Sequence, residues 1–335
     1  MRKFEFLRQL SKIPGATVIG LVRNKEAAEK KVASEIGSSN ITILHGDLSD
    51  YESLKKAAED TAKITGGSLD YLIANAAFIS QKTAFLTLYD LAHDPKGFDE
   101  DLETSFKTNV HGNIHLINLF LPLIRKGEAK KVISISTGLA DFDLTRKYNL
   151  AIGAPYAMSK AALNVAIAKF HAQFQSEGIL FLSISPGVVA TEANTHAHLA
   201  GKELENAQKM FASFAEYAPN FKGPITPEES VKMVWNVINE SSLERGDGGA
   251  LDPSSQRLIN QTGQGRTMDL ESDNRPLVDE GRSGYEITWK EKSQRPRPST
   301  APKPKPNPED SSQNRRKSAR DDQQHRGRRA IPHRF

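Results

Sequence analysis

The chain has 335 residues, of which 38% are hydrophobic, and a formal net charge of +4 at neutral pH. This length is enough for one large domain or two ordinary ones. The absence of cysteine excludes a disulfide framework, a thiolate metal site and a cysteine nucleophile.

Apolar runs and helical patterns alternate along most of the chain. The pattern predicts helix 4–12, strand 17–22, helix 25–37, strand 41–44, helix 50–64, strand 69–75, helix 98–125, strand 131–136, helix 155–177, strand 179–185 and helix 226–238. Thr226 and Pro227, followed by two acidic residues, give a strong start for the last helix. This alternation predicts an open α/β sheet with helices on both faces. Ligands of such sheets bind beyond the carboxyl ends of the strands.

Two segments bear on cellular location. The first ten residues interleave charged and apolar side chains, so they lack the unbroken apolar core of a signal peptide. No segment approaches the roughly 18 uninterrupted apolar residues of a membrane span. We therefore expect a soluble, cytoplasmic protein without a membrane partner.

The character of the chain changes near residue 251. Residues 251–335 contain 18 Lys and Arg against 12 Asp and Glu, and residues 295–308 are rich in proline. Such a composition cannot build a core and predicts a disordered, basic tail after a folded region of residues 1–250. Its Arg and Lys clusters also suit contact with nucleic acid, but Asp321 and Asp322 interrupt them and no aromatic residues interleave. A solvated tail with no nucleic-acid partner is the favoured interpretation.

Polar groups lie where the predicted strands end. Ser136 and Thr137 follow the fourth strand, and Asp47 follows the second. Tyr156 and Lys160 are four residues apart on a predicted helix, so they share one face. A lysine ammonium near a phenol favours the ionised phenol. Taken singly, each of these residues is also compatible with an ordinary structural role.

Together, and in this order, these motifs resemble the short-chain dehydrogenase/reductase family, from Thr17 to about Thr191. The resemblance implies a single-domain α/β fold with a doubly wound, Rossmann-like parallel sheet. Asn75-Ala76-Ala77 is similar to the family's Asn-Ala-Gly element, Asn109 to its active-site asparagine, and Tyr156-x-x-x-Lys160 to its catalytic pair. The sequences around these motifs, Ile-Ala-Asn-Ala-Ala and Ala-Lys-Phe-His, are similar to those in the branch of the family that contains norsolorinic acid ketoreductase and related small carbonyl reductases. The resemblance implies cofactor contacts at Arg23, Asp47, Leu48, Asn75, Ala76, Ala77, Tyr156, Lys160, Pro186, Gly187, Val189 and Thr191, and no metal site is predicted.

The resemblance also implies the chemistry. Tyr156 exchanges a proton with the substrate oxygen while a nicotinamide exchanges hydride with the carbon. Lys160 lowers the phenol pKa from its ordinary value near 10 and binds the nicotinamide ribose. A strand-end hydroxyl steadies the substrate oxygen, and Asn109 supports a proton-relay water. Alignment places Thr137 at the hydroxyl position, with Ser136 as the alternative.

Cofactor choice has one local indicator. The strand over residues 17–22 is followed by Arg23 and Asn24, where an NAD-preferring site usually carries an acid. Arg23 can pair with a 2′-phosphate, which predicts NADPH in preference to NADH. The alternative is that Arg23 is a solvent-facing loop residue.

Both ends of the matching region depart from the family. The family begins with a strand and a glycine-rich turn that brings backbone N–H groups to the pyrophosphate. Here residues 4–10 read as the helix that should follow that turn, so the central first strand and the turn are missing. The family's last strand, expected near residues 247–255, is replaced by polar sequence. These departures suggest a truncated or alternatively spliced product, or an imperfect gene prediction.

Two functional hypotheses follow. The first is an NADP(H)-dependent oxidoreductase acting on a carbonyl or an alcohol, and the second is a catalytically impaired remnant that acts through protein contacts. Residues 79–97 and 192–222 are expected to shape a pocket for a small, apolar substrate, or to pack as a lid. Many members of the family form dimers or tetramers, so a homo-oligomer is a further expectation.

Overall fold

The computed structural model describes residues 2–190, 199–217, 223–249 and 285–290, and these form one sheet between two layers of helices. The strands are β1 (Thr17–Val22), β2 (Ile41–His45), β3 (Tyr71–Ala74), β4 (Lys131–Ile135), β5 (Leu180–Ile184) and β6 (Tyr285–Lys290). The helices are α1 (Arg2–Leu10), α2 (Lys25–Glu35), α3 (Tyr51–Thr65), α4 (Leu88–Leu91), α5 (Pro95–Phe106), α6 (Asn113–Ile124), α7 (Phe142–Lys147), α8 (Ala154–Phe174), α9 (Gly201–Tyr217) and α10 (Pro227–Glu240).

The strand order in the sheet is β2-β1-β6-β3-β4-β5. β1 pairs with β2, β3 with β4, and β4 with β5, all in parallel. Every residue of β3 and β5 is buried, as expected for strands that are covered on both faces. The predicted Rossmann-like α/β sheet is therefore confirmed.

Each face of the sheet has its own hydrophobic core. On one face, Phe6 and Leu7 of α1 belong to a cluster that also contains Val234 of α10. On the other face, the cluster contains Phe120 of α6 and Ile167 of α8. The helix over residues 4–10 thus occupies a regular place in the layered fold, although no parallel strand leads into it in the described part of the chain.

The predicted helix over residues 98–125 is interrupted. α5 ends at Phe106, a π-helical turn covers Lys107–Gly112, and α6 begins at Asn113. A Cβ added to Gly112 would lie 2.2 Å from the main-chain oxygen of Leu48, so glycine is needed where this turn meets the loop after β2. Turns of this kind often occur at functional sites.

β6 lies within residues 251–335, where a disordered tail was predicted. It runs antiparallel between β1 and β3, where the family's first strand was expected to leave a gap. Six residues of the predicted disordered tail therefore form a central strand of the sheet. The remaining residues of that segment lie outside the described part of the chain.

The last family strand is not formed among the described residues. Near its expected place, Gly249 makes an isolated parallel bridge with Leu182 and donates a 2.8 Å hydrogen bond to the main-chain oxygen of Phe181. Within the described residues, no helix combines the length and the apolar character that crossing a membrane would need.

Candidate active site

Two hydroxyl residues follow β4 at its carboxyl end. Ser136 is buried, and its Oγ donates a 2.8 Å hydrogen bond to Oδ1 of Asn164 on α8. Thr137 is only half-buried, and its Oγ1 accepts a 3.3 Å hydrogen bond from the main-chain N–H of Leu139. An oxygen that accepts this bond keeps its own proton for donation. The two hydroxyls are adjacent in the sequence, but Ser136 donates its proton to another side chain whereas Thr137 only accepts a main-chain hydrogen bond.

α8 carries Tyr156 and Lys160 towards the same strand end. The helix begins after Gly153, which has a left-handed conformation with φ of 66°. Lys160 is 1% exposed, and its Nζ donates a 2.7 Å hydrogen bond to the main-chain oxygen of Ile135, the last residue of β4. A buried ammonium is costly unless it is hydrogen-bonded. Its position one helical turn from the partly exposed Tyr156 is consistent with the predicted catalytic pair.

Asn109 lies in the π-helical turn and is completely buried. Its Oδ1 accepts a 2.7 Å hydrogen bond from the N–H of Phe78, and its Nδ2 donates a 3.0 Å bond to the oxygen of the same residue. Nδ2 also donates a 2.9 Å bond to Oγ of Ser159, which donates in turn to the main-chain oxygen of Tyr156 at 2.8 Å. Asn109 therefore connects the loop after β3 to the first turn of α8.

The loops after β3 and β5 border the same edge of the sheet. Asn75 and Ala76 are buried and Ala77 is partly exposed, so small side chains line the end of β3. After β5, the oxygen of Pro186 accepts a 2.9 Å hydrogen bond from Oγ of Ser230, and Gly187 has a φ of 78°. A few residues on, buried Val189 forms a parallel bridge with Ile225, whereas Thr191 lies outside the described residues.

The remaining predicted cofactor contacts belong to the β1–β2 half of the sheet. Arg23 is exposed directly after β1, beside Asn24, whose side chain caps α2. Asp47 accepts two hydrogen bonds at Oδ1, from the N–H and the hydroxyl of Ser49. Leu48 is buried against Gly112. β6 lies between this half and the half that carries Tyr156.

The segments expected to shape a pocket do meet. A cleft of about 290 Å³ lies between α4, residues 149–152 and α9. Asn206 of α9 is buried and donates hydrogen bonds to the main-chain oxygen of Phe85 at 3.0 Å and to Oδ2 of Asp90 at 3.2 Å. The hydroxyl and N–H of Thr87 also bind Asp90, and chiefly for this reason the pKa of its carboxyl is below the ordinary value. Residues 191–198 and 218–222, which border α9, lie outside the described part of the chain.

Three residues that organise this region were not predicted from the sequence. They are Ser159, Asn164 and Asn206, which bond to Asn109, Ser136 and Asp90 respectively. The sequence indicates Ser159 and Asn164 only weakly. Both are polar residues in an otherwise apolar helical pattern, and buried polar side chains normally need a hydrogen-bond partner. Among the described residues, no group of three or more His, Asp or Glu side chains is arranged to hold a metal ion.

Comparisons with known proteins agree on the family. The family profile of short chain dehydrogenase matches residues 8–200. The chain is 52% identical over 248 residues to the short chain dehydrogenase virK of Hypocrea virens, which covers 74% of this chain and 91% of that protein. It is 45% identical over 249 residues to the short-chain dehydrogenase/reductase iacC of Pestalotiopsis fici, with 74% and 91% covered.

Solved structures resemble the fold. The NADPH-bound carbonyl reductase from chicken fatty liver superposes with a TM-score of 0.56 at 22% identity, covering 74% of this chain and 90% of that one. The carbonyl reductase Sniffer of D. melanogaster gives a TM-score of 0.52 at 20% identity, with 69% and 86% covered.

Proposed function

The chain belongs to the short-chain dehydrogenase/reductase family of oxidoreductases, and from this premise we propose that it is an NADP(H)-dependent enzyme that reduces a carbonyl group or oxidises an alcohol. The observation that carries this proposal is the buried amino group of Lys160, held at the end of β4 one helical turn from Tyr156. Lysine is rarely buried this deeply, and a buried ionisable group of this kind favours a functional role.

The nicotinamide end of the site fits a dinucleotide. Lys160 and Tyr156 would hold the ribose, while Asn75-Ala76-Ala77 and the loop Pro186–Val189 would border the ring. The small alanines keep the end of β3 accessible, and Gly187 leaves 3.7 Å between an added Cβ and the nearest atom of Ile225. When bound, NADP(H) supplies or accepts the hydride. Leu48 and Asp47 would border the adenine, and Arg23 would face the 2′-phosphate.

Tyr156 is the proposed general acid for reduction and general base for oxidation. A free phenol titrates near pH 10, which makes it a poor base at neutral pH. The Lys160 ammonium favours the ionised form of a phenol nearby, because opposite charges stabilise each other in a buried setting. A phenol pKa closer to neutral pH lets Tyr156 donate its proton to the substrate oxygen in reduction and accept that proton in oxidation.

Thr137 is the proposed hydroxyl that donates to the substrate oxygen. Its proton is not used in any described hydrogen bond of its side chain, and the residue is only partly buried. The Ser136 hydroxyl is buried and already donates to Asn164. Donors aimed at the developing oxyanion contribute substantially to the rate of carbonyl chemistry.

Asn109 acts in this proposal as a positioning residue. Its amide contacts Phe78 and Ser159, and through Ser159 it reaches the main-chain oxygen of Tyr156. These contacts fix the first turn of α8 relative to the loop after β3. The proton-relay role implied by the family resemblance stays a prediction, as do the remaining site assignments, the 1–250 domain boundary, the cytoplasmic location and the homo-oligomer.

A second candidate function is that of a catalytically impaired remnant, which acts through protein contacts. It is favoured by β6, an antiparallel strand at the place where a glycine-rich turn would otherwise lead into α1. If this reading holds, the chain folds but binds dinucleotide weakly. For the enzyme, the substrate is expected to be a small molecule.

One experiment separates the two candidates. The purified chain is titrated with NADPH and followed by fluorescence, and carbonyl reduction is then compared between the parent, Y156F and the control Y148F. Tyr148 packs edge-on against Tyr217, beside the cleft rather than on α8. Micromolar binding with activity lost only in Y156F supports the enzyme. A folded chain that shows no NADPH binding would leave the remnant as the better description.

A further inference from the structure

β6 occupies the turning point of the sheet. β1 and β2 lie on one side of it, and β3, β4 and β5 lie on the other. In doubly wound folds, the dinucleotide lies across the carboxyl ends of the strands at this point, where the winding direction reverses. Here the turning point is filled by a strand from far along the chain, and that strand runs antiparallel to both neighbours.

The pairing of β6 is extensive on both sides. All six residues of β1 pair with it, from Thr17 opposite Lys290 to Val22 opposite Tyr285. Three residues of β3 pair with its other edge, from Tyr71 opposite Trp289 to Ile73 opposite Ile287. Within the described residues, β6 is therefore the only strand that joins the two halves of the sheet by main-chain hydrogen bonds.

The two halves carry opposite ends of the proposed dinucleotide site. Arg23 and Asp47 follow β1 and β2, whereas Asn75, Thr137 and Lys160 belong to the β3–β5 half. Neighbouring strands lie about 4.8 Å apart, so one intervening strand separates β1 from β3 by roughly 10 Å. Direct pairing of β1 with β3 would bring the two ends closer by the width of one strand.

We propose that residues 285–290 act as a spacer strand, which sets the distance between the adenine half and the nicotinamide half of the site. The inference rests on the proposed function for the identity of the ligand, a dinucleotide. The strand also satisfies the main-chain groups of β1 and β3 that face each other across the gap. An unpaired strand edge is a site for non-native pairing, so the same segment protects the sheet from such contacts.

The spacer can come from the same molecule. The last described residue before it, Gly249, lies beside β5, which is separated from β6 by β3 and β4. The distance across these strands is on the order of 20 Å. The 35 residues from 250 to 284 have a maximum reach of roughly 115 Å. The same molecule can therefore supply the spacer strand, and the proposal is insertion within one molecule.

The direction of the strand limits what it supplies. Tyr285 lies opposite Val22 at the carboxyl edge of β1, and Lys290 lies opposite Thr17 at the other edge. β6 therefore ends on the side of the sheet away from the ligand crevice and cannot lead into a phosphate-binding helix there. It provides spacing and hydrogen bonding, but not the glycine-rich turn of the family.

The first test removes one main-chain donor from the strand. Proline cannot donate to a sheet ladder, and Thr288 pairs with both Ile19 and Leu72. T288P in the full chain is compared with S293P, a matched proline placed after the strand. Amide hydrogen exchange is measured over β1, β3 and β5. We expect T288P to raise exchange in β1 and β3 by at least tenfold, to leave β5 protected, and to weaken NADPH binding at least tenfold.

The exchange result is independent of cofactor. If β1 and β3 exchange as slowly in T288P as in the parent, the spacer inference is wrong. If the parent binds no NADPH but T288P still raises amide exchange in β1 and β3, the proposed function is wrong. In that case the inference that β6 joins the two halves of the sheet is still supported. Raised exchange with unchanged NADPH affinity would overturn the claim that the strand spaces the site.

The second test does not depend on the stability of a proline variant. Because the chain has no cysteine, T17C with K290C creates a single candidate disulfide between paired residues. The control is T17C with W289C, because a one-residue slip in a strand turns the side chain to the opposite face. We expect mild oxidation to cross-link only T17C/K290C, as a monomer on a non-reducing gel. A cross-linked dimer would show that the strand is swapped between two copies of the chain. The absence of any cross-link would show that residues 17 and 290 do not pair. Either result overturns insertion within one molecule.

Discussion

The hydroxyl of Ser136 donates a 2.8 Å hydrogen bond to Oδ1 of Asn164 across the interface between β4 and α8. Both residues are buried, at 2% and 5% exposure. This bond gives the serine a structural partner, whereas the half-buried Thr137 beside it accepts a hydrogen bond from the N–H of Leu139. Alignment with the family placed Thr137 at the hydroxyl position with Ser136 as the alternative, and that assignment stays a prediction.

The first prediction concerns these two hydroxyls. T137A should lower kcat by about 10²–10³-fold, the range found when one donor to a developing oxyanion is removed. T137S, which keeps the hydroxyl, should stay within about tenfold of the parent. S136A should retain kcat but lower the free energy of unfolding by about 1–3 kcal/mol, because Asn164 loses a buried partner. Steady-state reduction with NADPH and denaturant unfolding measure these effects; full activity of T137A would refute the assignment.

The second prediction concerns the connection from Asn109 to Tyr156. N109A leaves the N–H and oxygen of Phe78 without their side-chain partner, so the free energy of unfolding should fall by about 1–3 kcal/mol. Residues in one hydrogen-bond network are not additive, so N109A with S159A should cost less than the sum of the single changes. Urea unfolding of the four chains gives the coupling. N118A, at an exposed position on α6, is the control, and strict additivity would contradict the network.

The third prediction concerns cofactor choice. Arg23 is exposed directly after β1, where a guanidinium can bind a 2′-phosphate by two hydrogen bonds. R23E should lower the ratio of kcat/KM for NADPH over NADH by about tenfold or more, since attraction is replaced by repulsion. K30E makes the same charge change at an exposed position in α2 and should leave the ratio unaltered. An unchanged ratio in R23E would place Arg23 among ordinary loop residues.

The fourth prediction concerns pH. Burial lowers the pKa of the His171 imidazole on α8, whose Nδ1 has no hydrogen-bond partner among the described residues. The unfolded chain therefore binds a proton more readily at this residue than the folded chain does. The resulting stability is present above about pH 6.5 and is lost as the pH falls through that value towards the folded pKa. The midpoint of thermal unfolding, measured from pH 5 to 8, should depend less on pH in H171Q; H93Q, at an exposed position, should behave as the parent.

The parallel part of the fold could be predicted because its signal is local. Strands that are covered on both faces require continuous apolar runs, and the run over residues 17–22 has this character throughout. The predicted strands 131–136 and 179–185 differ from β4 and β5 by a single residue at the ends. Tyr156 and Lys160 were identified by spacing and family motif, and their roles stay predictions. The hydrogen bonds of Ser159 and Asn164 could not be predicted, because their partners lie far away in the sequence.

β6 could not be predicted from the sequence, because its local composition and its strand pattern point in opposite directions. Tyr285, Ile287 and Trp289 alternate with polar residues, which is a strand pattern in its own right. The surrounding sequence is basic, polar and rich in proline, so composition favoured a disordered segment. The strand has partners only in β1 and β3, at the opposite end of the sequence. Propensity within a short window contains no information on such a partner.

The position of β6 has a consequence for how the protein is made. Thr17 emerges from the ribosome early, but its partner Lys290 is synthesised only after nearly all the folded region. Pairings between such distant residues slow folding, since a long loop must close before the contact forms. Until then, β1 and β3 have no strand between them, and unpaired edges in nascent chains favour aggregation. We therefore expect folding to be completed after translation, with chaperones shielding the sheet until its last strand arrives.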